Sequence, residues 1–350
     1  MLKRLLNELT ATIEIETESN LLIKDGRLED LRTQWSEERF PGPANAEIEK
    51  QRTDFRKPIP TAIFISRSSP EELREALVDQ TKPVDALPFY IPGSSLRGPF
   101  RAHLEKVLRS LDAGATVCDP LLDALKGQPS GTVVSCSNAL VQEGAKRPPN
   151  AYTLSCPVCR LFGNAAQASR VWFSDATFTA KNVVKVDNIS VSRHTGSVLN
   201  LFKSLALCDA TATFEFRVRN FELWHLALLG HLFADAENSL IALGSGKNKG
   251  NGKVRATTTE VKLAYYGIDD PCADGTIRGI EHLDDKRAFY DFKSCQVTYR
   301  LPAAGAALSW RHERTIPDPS AFWSALRSGL SRGLWKTMKP LETLRSGKGA

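Results

Sequence analysis

Two hydrophobic periods alternate along this chain, and their order limits the folds that it can adopt. Apolar side chains recur at every second residue in some segments, as in half-buried strands, and at every third or fourth residue in others, as in amphipathic helices. The segments lie at about residues 10–17, 95–111, 169–178, 209–235 and 253–265, the fourth holding a strand followed by a helix. The order strand-helix-strand-strand-helix-strand predicts an α+β fold of the ferredoxin-like type, a modified form of the RNA-recognition fold.

Three long inserts interrupt this unit, at residues 18–90, 112–168 and 180–208. Structureless loops of that length are uncommon within a compact domain, so we expect each insert to be ordered or functional. The aromatic signature with which common RNA-recognition sheets stack bases is absent, so RNA would be held in another way. No internal repeat or low-complexity linker separates the segments, and the sequence predicts one elaborated domain over residues 1–350.

The C-terminal extension, residues 270–350, carries weaker signals. Residues 291–301 are compatible with one more strand. Residues 320–334 are compatible with a helix whose apolar side chains share one face. The last six residues, 345–350, resemble a loose basic tail.

Charge and hydropathy narrow the class of protein. The 46 Lys and Arg residues against 40 Asp and Glu residues give a net charge of +6, which permits a polyanionic partner without requiring one. No apolar stretch approaches the length of a membrane span. Asn7 and Glu8 interrupt the N-terminal apolar residues, unlike a secretory signal. We therefore expect a globular cytoplasmic protein with no membrane partner.

A turn of small residues precedes the first predicted helix. Gly93 allows close approach of a ligand to the backbone, and Ser94 or Ser95 is a suitable N-cap. The unpaired amides of a first helical turn suit a phosphate, and Arg97 and Arg101 add positive charge one turn apart. The alternative is an ordinary capped surface helix.

A glycine-rich basic loop, residues 244–253, joins the second predicted helix to the last strand. Its four glycines permit positive φ angles and exposed amides, while Lys247, Lys249 and Lys253 supply charge. The loop is not a nucleotide-triphosphate loop, because Lys247 stands where that motif needs glycine and Lys253 is followed by valine. We predict a clamp for a phosphate backbone, and the alternative is a flexible turn.

Four cysteines fall within the second insert, over residues 112–162. Cys156 and Cys159 form a C-x-x-C pair, and Cys118 and Cys136 could complete a tetrahedral site. The odd total of seven cysteines in a chain without secretory features argues against a disulfide framework. The pattern predicts a structural Zn²⁺ site, with free thiols or a redox pair as the alternatives.

The motifs together resemble the repeat-associated mysterious protein (RAMP) superfamily, and specifically the backbone subunits of type III CRISPR effector complexes. The residues that carry the resemblance are 91–98 (Ile-Pro-Gly-Ser-Ser-Leu-Arg-Gly), 160–163 (Arg-Leu-Phe-Gly), 192–196 (Ser-Arg-His-Thr-Gly) with Leu201-Phe202, and 244–252. The cysteine-bearing insert looks like the zinc-binding version of type III-D-like complexes.

This resemblance implies that the chain stacks with other effector subunits in a helical filament along a CRISPR RNA. The turn at 93–98 and the loop at 244–253 would hold the guide backbone. A thumb-like β-hairpin within residues 180–208, bearing Arg193 and His194, would contact RNA and kink the duplex of guide and target.

In many members of the family, a loop aspartate in the first insert cuts target RNA with a divalent metal such as Mg²⁺. Asp25 is the first candidate, because Lys24-Asp25-Gly26 closely follows the first strand, and Asp85 is the second. Asp25 in a solvated turn is the alternative, which would leave a purely structural RNA-binding subunit.

Other functions remain open at this point. A guide-RNA-processing endoribonuclease of the same superfamily would rely on histidine for acid–base chemistry, but the six histidines show no spacing that pairs them. A stand-alone RNA-binding protein is a third possibility.

Overall fold

The computed structural model describes residues 3–111, 116–119, 135–141, 148–284, 290–293, 295–305 and 310–330. The strands of these residues are β1 (Asn7–Thr17), β2 (Ala62–Ile63), β3 (Tyr90–Ile91), β4 (Val171–Phe173), β5 (Ala176–Val191), β6 (Val198–Arg219), β7 (Val254–Tyr266) and β8 (Arg311–Thr315). The α-helices are α1 (Leu28–Arg39), α2 (Ala46–Arg56), α3 (Pro70–Arg74), α4 (Gly93–Leu111), α5 (Cys136–Leu140), α6 (Ala151–Leu154), α7 (Pro157–Phe162), α8 (Leu223–Glu237), α9 (Ile280–Leu283) and α10 (Pro319–Arg327). None of these helices is long and apolar enough to cross a bilayer.

The strands form one sheet with the order β3-β5-β6-β1-β7-β8. Its neighbouring strands are antiparallel, whereas the short β2 runs parallel to β6, and β4 pairs with β6 in line with β5. The central order β5-β6-β1-β7, with α4 and α8 as the connecting helices, is consistent with the ferredoxin-like unit. The mixed α+β class predicted from periodicity is confirmed.

The sheet is apolar on one face only. Along β1, Leu9, Ala11, Ile13 and Ile15 are buried, as the alternation of the sequence predicts. Helices α4 and α8 cover this face, and α10 packs against α8. Removing each large aliphatic or aromatic side chain from water contributes about 2 kcal/mol, so this buried face fixes the register of the sheet.

The predicted strand over 169–178 is two strands, because Ser174 and Asp175 interrupt it. The Ser174 amide donates to the Glu215 carbonyl, but the Glu215 amide donates to the Ser174 hydroxyl at 2.8 Å, and the Asp175 carboxylate accepts from the Gly93 amide at 2.9 Å. The predicted N-cap at Ser94 or Ser95 is also wrong, because α4 begins at Gly93 and its first amide is capped from Asp175.

The predicted strand over 291–301 is wrong for the described part of that segment, which holds only an isolated bridge from Arg300 to Thr276. The edge strand next to β7 is β8 instead. Its inward side chains are His312 and Arg314, which are buried but polar, so no apolar alternation revealed it. Residues 331–350, with the end of the predicted C-terminal helix and the basic tail, lie outside the described residues.

Strands β5 and β6 continue beyond β1 as a hairpin whose turn lies at residues 192–197. The first insert packs against this extension, since β2 pairs with Ser204 and Leu205 and Leu21 exchanges backbone hydrogen bonds with Leu207. Helices α1 and α2 therefore lie on the hairpin side of the sheet rather than over its core.

Candidate nucleic-acid interface and cysteine centre

The four predicted cysteines form one buried cluster. The Sγ atoms of Cys118, Cys136, Cys156 and Cys159 all lie within 4.8 Å of one another. Each of the four residues is at most 1% exposed. A buried set of four thiols at this separation could hold a metal such as zinc, because tetrahedral thiolate coordination places sulfur atoms at comparable distances.

The C-x-x-C segment builds half of this cluster locally. Cys156 is the N-cap of α7, and its Sγ lies 3.5 Å from the Cys159 amide, while the Cys136 Sγ accepts from the Cys156 amide at 3.3 Å. Burial raises the pKa of Cys156, but hydrogen bonds from the surrounding thiols outweigh it and lower that pKa well below its usual range. Hydrogen bonding to the neighbouring thiols and burial raise the pKa of Cys136 and Cys159. Thiols bind a metal ion as thiolates, so loading this cluster with a metal would release protons.

The predicted phosphate turn is tightly packed at Gly93. A Cβ atom there would lie 2.3 Å from the Phe173 carbonyl oxygen, so only glycine fits. The Gly93 amide donates to Asp175, whose other carboxylate oxygen is 2.8 Å from Arg67 Nη2. Ser94 is exposed and Ser95 half-buried. The first turn of α4 thus already holds one carboxylate, and a phosphate would compete with Asp175 there.

Arg97 and Arg101, predicted to contact RNA, both donate hydrogen bonds to the cysteine module, our name for Cys118, α5 and residues 156–163. Arg97 Nη2 donates to the Phe162 carbonyl, and burial lowers its pKa. Arg101 donates to the Gly163 carbonyl at 3.0 Å and to Cys159 Sγ at 3.3 Å. These partners engage the two guanidinium groups within the protein.

The glycine loop adopts the backbone that its composition predicts. Gly244, Gly246, Gly250 and Gly252 have φ angles of 72°, 80°, 83° and 81°. At Gly244 and Gly252 the backbone also touches neighbouring carbonyl oxygens, because an added Cβ would lie 2.4 Å from Leu22 O and 2.0 Å from Leu243 O. These two positions therefore require glycine for two reasons, the positive φ angle and the lack of space for a Cβ atom.

A cleft of about 490 Å³ separates this loop from the hairpin. We call it the loop–hairpin cleft. Its lining includes the cations Lys24, Arg32 and Lys249 against one carboxylate, Glu29. Asn188 and Phe202, which face each other across β5 and β6, complete the hairpin wall. Phe202 is 45% exposed, so the cleft combines positive charge with an accessible aromatic ring.

The three predicted loop lysines differ in their surroundings. Lys247 and Lys249 are exposed. Lys253 is the last residue of the loop and has its Nζ 2.7 Å from Glu18 Oε2, while Arg255 binds the other oxygen of the same carboxylate. The positive charge available to a ligand therefore lies mainly at Lys247 and Lys249.

The hairpin presents apolar side chains to solvent. Ile189, Val191, Val198 and Phe202 are each between 45% and 61% exposed. The predicted RNA-contacting residues Arg193 and His194 lie exposed in the turn beyond them. An exposed patch of this kind on an extended hairpin is typical of an interaction surface.

The two candidate catalytic aspartates occupy different environments. The Asp25 side chain is 1% exposed, with Oδ2 2.7 Å from Arg27 Nη2 and Oδ1 accepting from the Arg27 amide and Nε. Burial raises the Asp25 pKa, but hydrogen bonds from Arg27 outweigh it, so the pKa is lowered. Asp85 is exposed and lines a second cleft of about 420 Å³, with Lys82 and Lys185 nearby. Of the two candidates, Asp85 therefore has the carboxylate that a metal ion or RNA could reach.

The six histidines do not form a common site. His194 is exposed at the hairpin turn. The buried His225 ring accepts from the Glu222 amide at 3.0 Å and lies 3.4 Å from the Tyr152 hydroxyl, and burial lowers its pKa well below the usual range. The others have separate neighbours: His103 with Asp235, His231 with Arg327, His282 with Glu281 and His312 with Gly267.

The face of the sheet opposite α4 and α8 carries acidic and basic side chains that form ion pairs with one another. Glu8 binds Arg219 at 2.5 Å, and Lys262 binds Glu260 at 2.9 Å. Trp172, 50% exposed, lies at the β4 side of this face. A surface whose charges neutralise each other gives little net attraction to phosphate, in agreement with the missing base-stacking signature of the sequence.

Sequence reasoning missed several residues of the loop–hairpin cleft. Arg32 belongs to α1, which was not predicted, although Leu28, Leu31 and Trp35 recur at helical spacing and are buried. Lys24 has no sequence pattern around it that predicts a place in the cleft. The position of Phe202 opposite Asn188 depends on the register of the hairpin, which local sequence does not reveal.

Comparison with known proteins identifies the family of this chain. The family model of the RAMP superfamily matches residues 14–255, more than half of the 350-residue chain. The match runs from the end of β1 through α4, the cysteine cluster and the hairpin to the glycine loop and the first residues of β7. No curated protein sequence matches the chain significantly. Because this match covers more than half of the chain, the chain belongs to the RAMP superfamily.

Proposed function

We propose that this chain is an RNA-binding backbone subunit of a type III CRISPR effector complex and holds a guide RNA and its target in the cytoplasm. RAMP proteins are generally CRISPR-associated, and they typically bind CRISPR RNA within multi-subunit complexes. The observation that supports this role most is the loop–hairpin cleft, where three cations and an exposed phenylalanine line the same space.

The chemistry of this cleft suits RNA. Lys24, Arg32 and Lys249 offer charge to a phosphate backbone without regard to base identity. The Phe202 ring offers a stacking face that accepts any base. Asn188 and Asn251 add hydrogen-bonding groups. A guide subunit needs this combination, because its RNA sequence differs from one complex to another.

The hairpin supports the second half of the proposal. Its exposed apolar side chains, among them Ile189 and Val198, would insert beside base pairs of the guide–target duplex and kink it. Arg193 and His194 at the turn would contact phosphates. Gly93, Ser94 and Ser95 would hold the guide at the start of α4, with the phosphate displacing Asp175 from the Gly93 amide.

We assign Zn²⁺ to the four-cysteine cluster. Cys118, Cys136, Cys156 and Cys159 match the ligand set of a closed structural site, which supplies folding energy rather than catalysis. Bound zinc would hold together α5, α7 and the segment around Cys118, which are otherwise short elements.

Replacement of Phe202 tests the cleft directly. The parent complex and its Phe202→Ala variant are assembled with guide RNA, and affinity is measured by filter binding. Loss of one base stack costs about 1–3 kcal/mol, or roughly 5- to 150-fold in affinity. Trp172→Ala, which removes an exposed aromatic ring from the open face of the sheet, is the matched control. Equal affinities for the two variants would contradict the proposal.

Target cleavage is a second candidate function, favoured by the exposed carboxylate of Asp85. Mg²⁺ is commonly held by one or two carboxylates together with substrate phosphates, and Asp85 in its cleft could supply one such ligand. We expect Asp85→Asn to abolish a Mg²⁺-dependent cut in bound target RNA without changing guide binding. Persistent cleavage in that variant and its loss in Asp25→Asn would return the role to Asp25. An uncut target in the parent complex would identify a purely structural subunit.

A further inference from the structure

Three arginines of helix α4 donate hydrogen bonds to carbonyl groups of the cysteine module. Arg97 donates to the Phe162 carbonyl, Arg101 to the Gly163 carbonyl at 3.0 Å, and Arg109 to the Cys118 carbonyl at 3.0 Å. Intervals of four and eight residues place the three side chains along one helix face. All three accepting carbonyls lie on or next to segments that bear the cysteines, because Cys118 is one of the four, Phe162 ends α7 and Gly163 follows it.

Arg101 also reaches a sulfur atom. Its Nη2 lies 3.3 Å from Cys159 Sγ, while Nε binds the buried Glu105 carboxylate at 2.8 Å. One guanidinium group therefore joins a thiol, a carbonyl of the cysteine module and a carboxylate of its own helix. Glu105, 5% exposed in its side chain, fixes the plane of the Arg101 fork so that Nη2 faces the cluster.

Four thiolates around one divalent cation carry excess negative charge, which must be balanced in a buried site. Arg101 offers that charge by a direct hydrogen bond to one of the four sulfur atoms. Groups outside the ligand set that orient and charge-balance ligands in this way have a large effect on metal affinity.

We propose that Arg101 is a positioning residue of the cysteine centre, orienting Cys159 and balancing the thiolate charge, so that α4 and the bound metal form one structural unit. This inference rests on the metal site of the proposed function. It also gives Arg101 a role other than RNA contact, because its donors face the cluster.

The test measures Zn²⁺ affinity of the full chain by competition with a chromophoric chelator. Arg101→Gln is expected to bind Zn²⁺ about 10- to 100-fold more weakly than the parent. Lys106→Gln removes a cation from an exposed position of the same helix and is expected to keep the parent affinity. Chains loaded with Co²⁺ alone provide a second readout, since the thiolate-to-metal charge-transfer band should shift in Arg101→Gln and not in Lys106→Gln.

Arg101→Lys covers the case in which the glutamine variant does not fold. Lysine keeps the charge but lacks the planar fork that serves Cys159, Gly163 and Glu105 together, so we expect an intermediate loss of affinity. Parent-like Zn²⁺ affinity and Co²⁺ spectrum in a folded Arg101 variant would overturn the inference. A parent chain that binds no metal would instead refute the metal site itself.

Discussion

The salt dependence of RNA binding should report directly on the cations of the loop–hairpin cleft. Lys24, Arg32 and Lys249 line this cleft with one opposing carboxylate, Glu29. Each phosphate contact with a single strand contributes about 0.7 to the slope of log affinity against log salt concentration. Replacing all three cations by glutamine should therefore reduce the steepness of this slope by about 2.

The expected effect is large enough to measure. Between about 50 and 200 mM salt, a slope change of about 2 means that the triple variant loses roughly 20-fold less affinity than the parent. The assay is guide-RNA binding by the assembled complex across a salt series, with two guides of different sequence. Lys262→Gln, on the open face of the sheet and beside Glu260, is the charge control. An unchanged slope in the triple variant, or a change that depends on guide sequence, would refute the reasoning.

Three further predictions concern the loop, the metal and Asp25. In denaturant titration, Gly250→Ala should lower the free energy of unfolding only by the positive-φ strain of about 1–2 kcal/mol, because its Cβ would meet no atom within 4 Å. Gly252→Ala should lower it further, because its Cβ would lie 2.0 Å from a carbonyl oxygen. Equal losses would argue against close packing of the loop. Elemental analysis should find about one Zn²⁺ per chain, and Cys156→Ser should lower zinc content and solubility; a chelator-washed chain without zinc contradicts the metal site. Asp25→Asn should lower the free energy of unfolding at pH 7 by about 1–3 kcal/mol, because Arg27 loses its ionised partner. The Asp25 pKa is lowered in the folded chain, so this stabilisation is present above the unfolded pKa of about 3.9 and disappears as pH falls through the folded pKa. A difference in stability between the parent and Asp25→Asn that persists in acid would contradict this prediction.

The alternating strands were the most predictable part of the fold. In β1 and in the second half of β6, one face is buried and the other solvated, so the period of two appears in the sequence. β8 escaped prediction because its inward residues, His312 and Arg314, are polar and bind the Gly267 and Cys272 carbonyl groups. Local periodicity cannot reveal a strand whose buried side is satisfied by hydrogen bonds from other segments.

The candidate site was predictable where local chemistry fixes it. The positive φ angles of the glycine loop follow from its composition, and the four cysteines come together as the C-x-x-C pattern suggested. The partners of Arg101 could not be foreseen, because they come from residues about 60 positions away along the chain. The same holds for Asp175, which accepts from the first amide of α4 and lies in the break between β4 and β5, about 80 residues away along the chain.

The RNA that accompanies this chain tests the central claim most directly. The chain is purified under native conditions with the proteins that assemble with it, and the bound RNA is extracted and sequenced. We predict RNAs of uniform length that share repeat-derived ends and differ in their internal sequence, held in a complex with other subunits. RNA of random origin and length, or a chain that purifies without RNA, would contradict a guide-binding role.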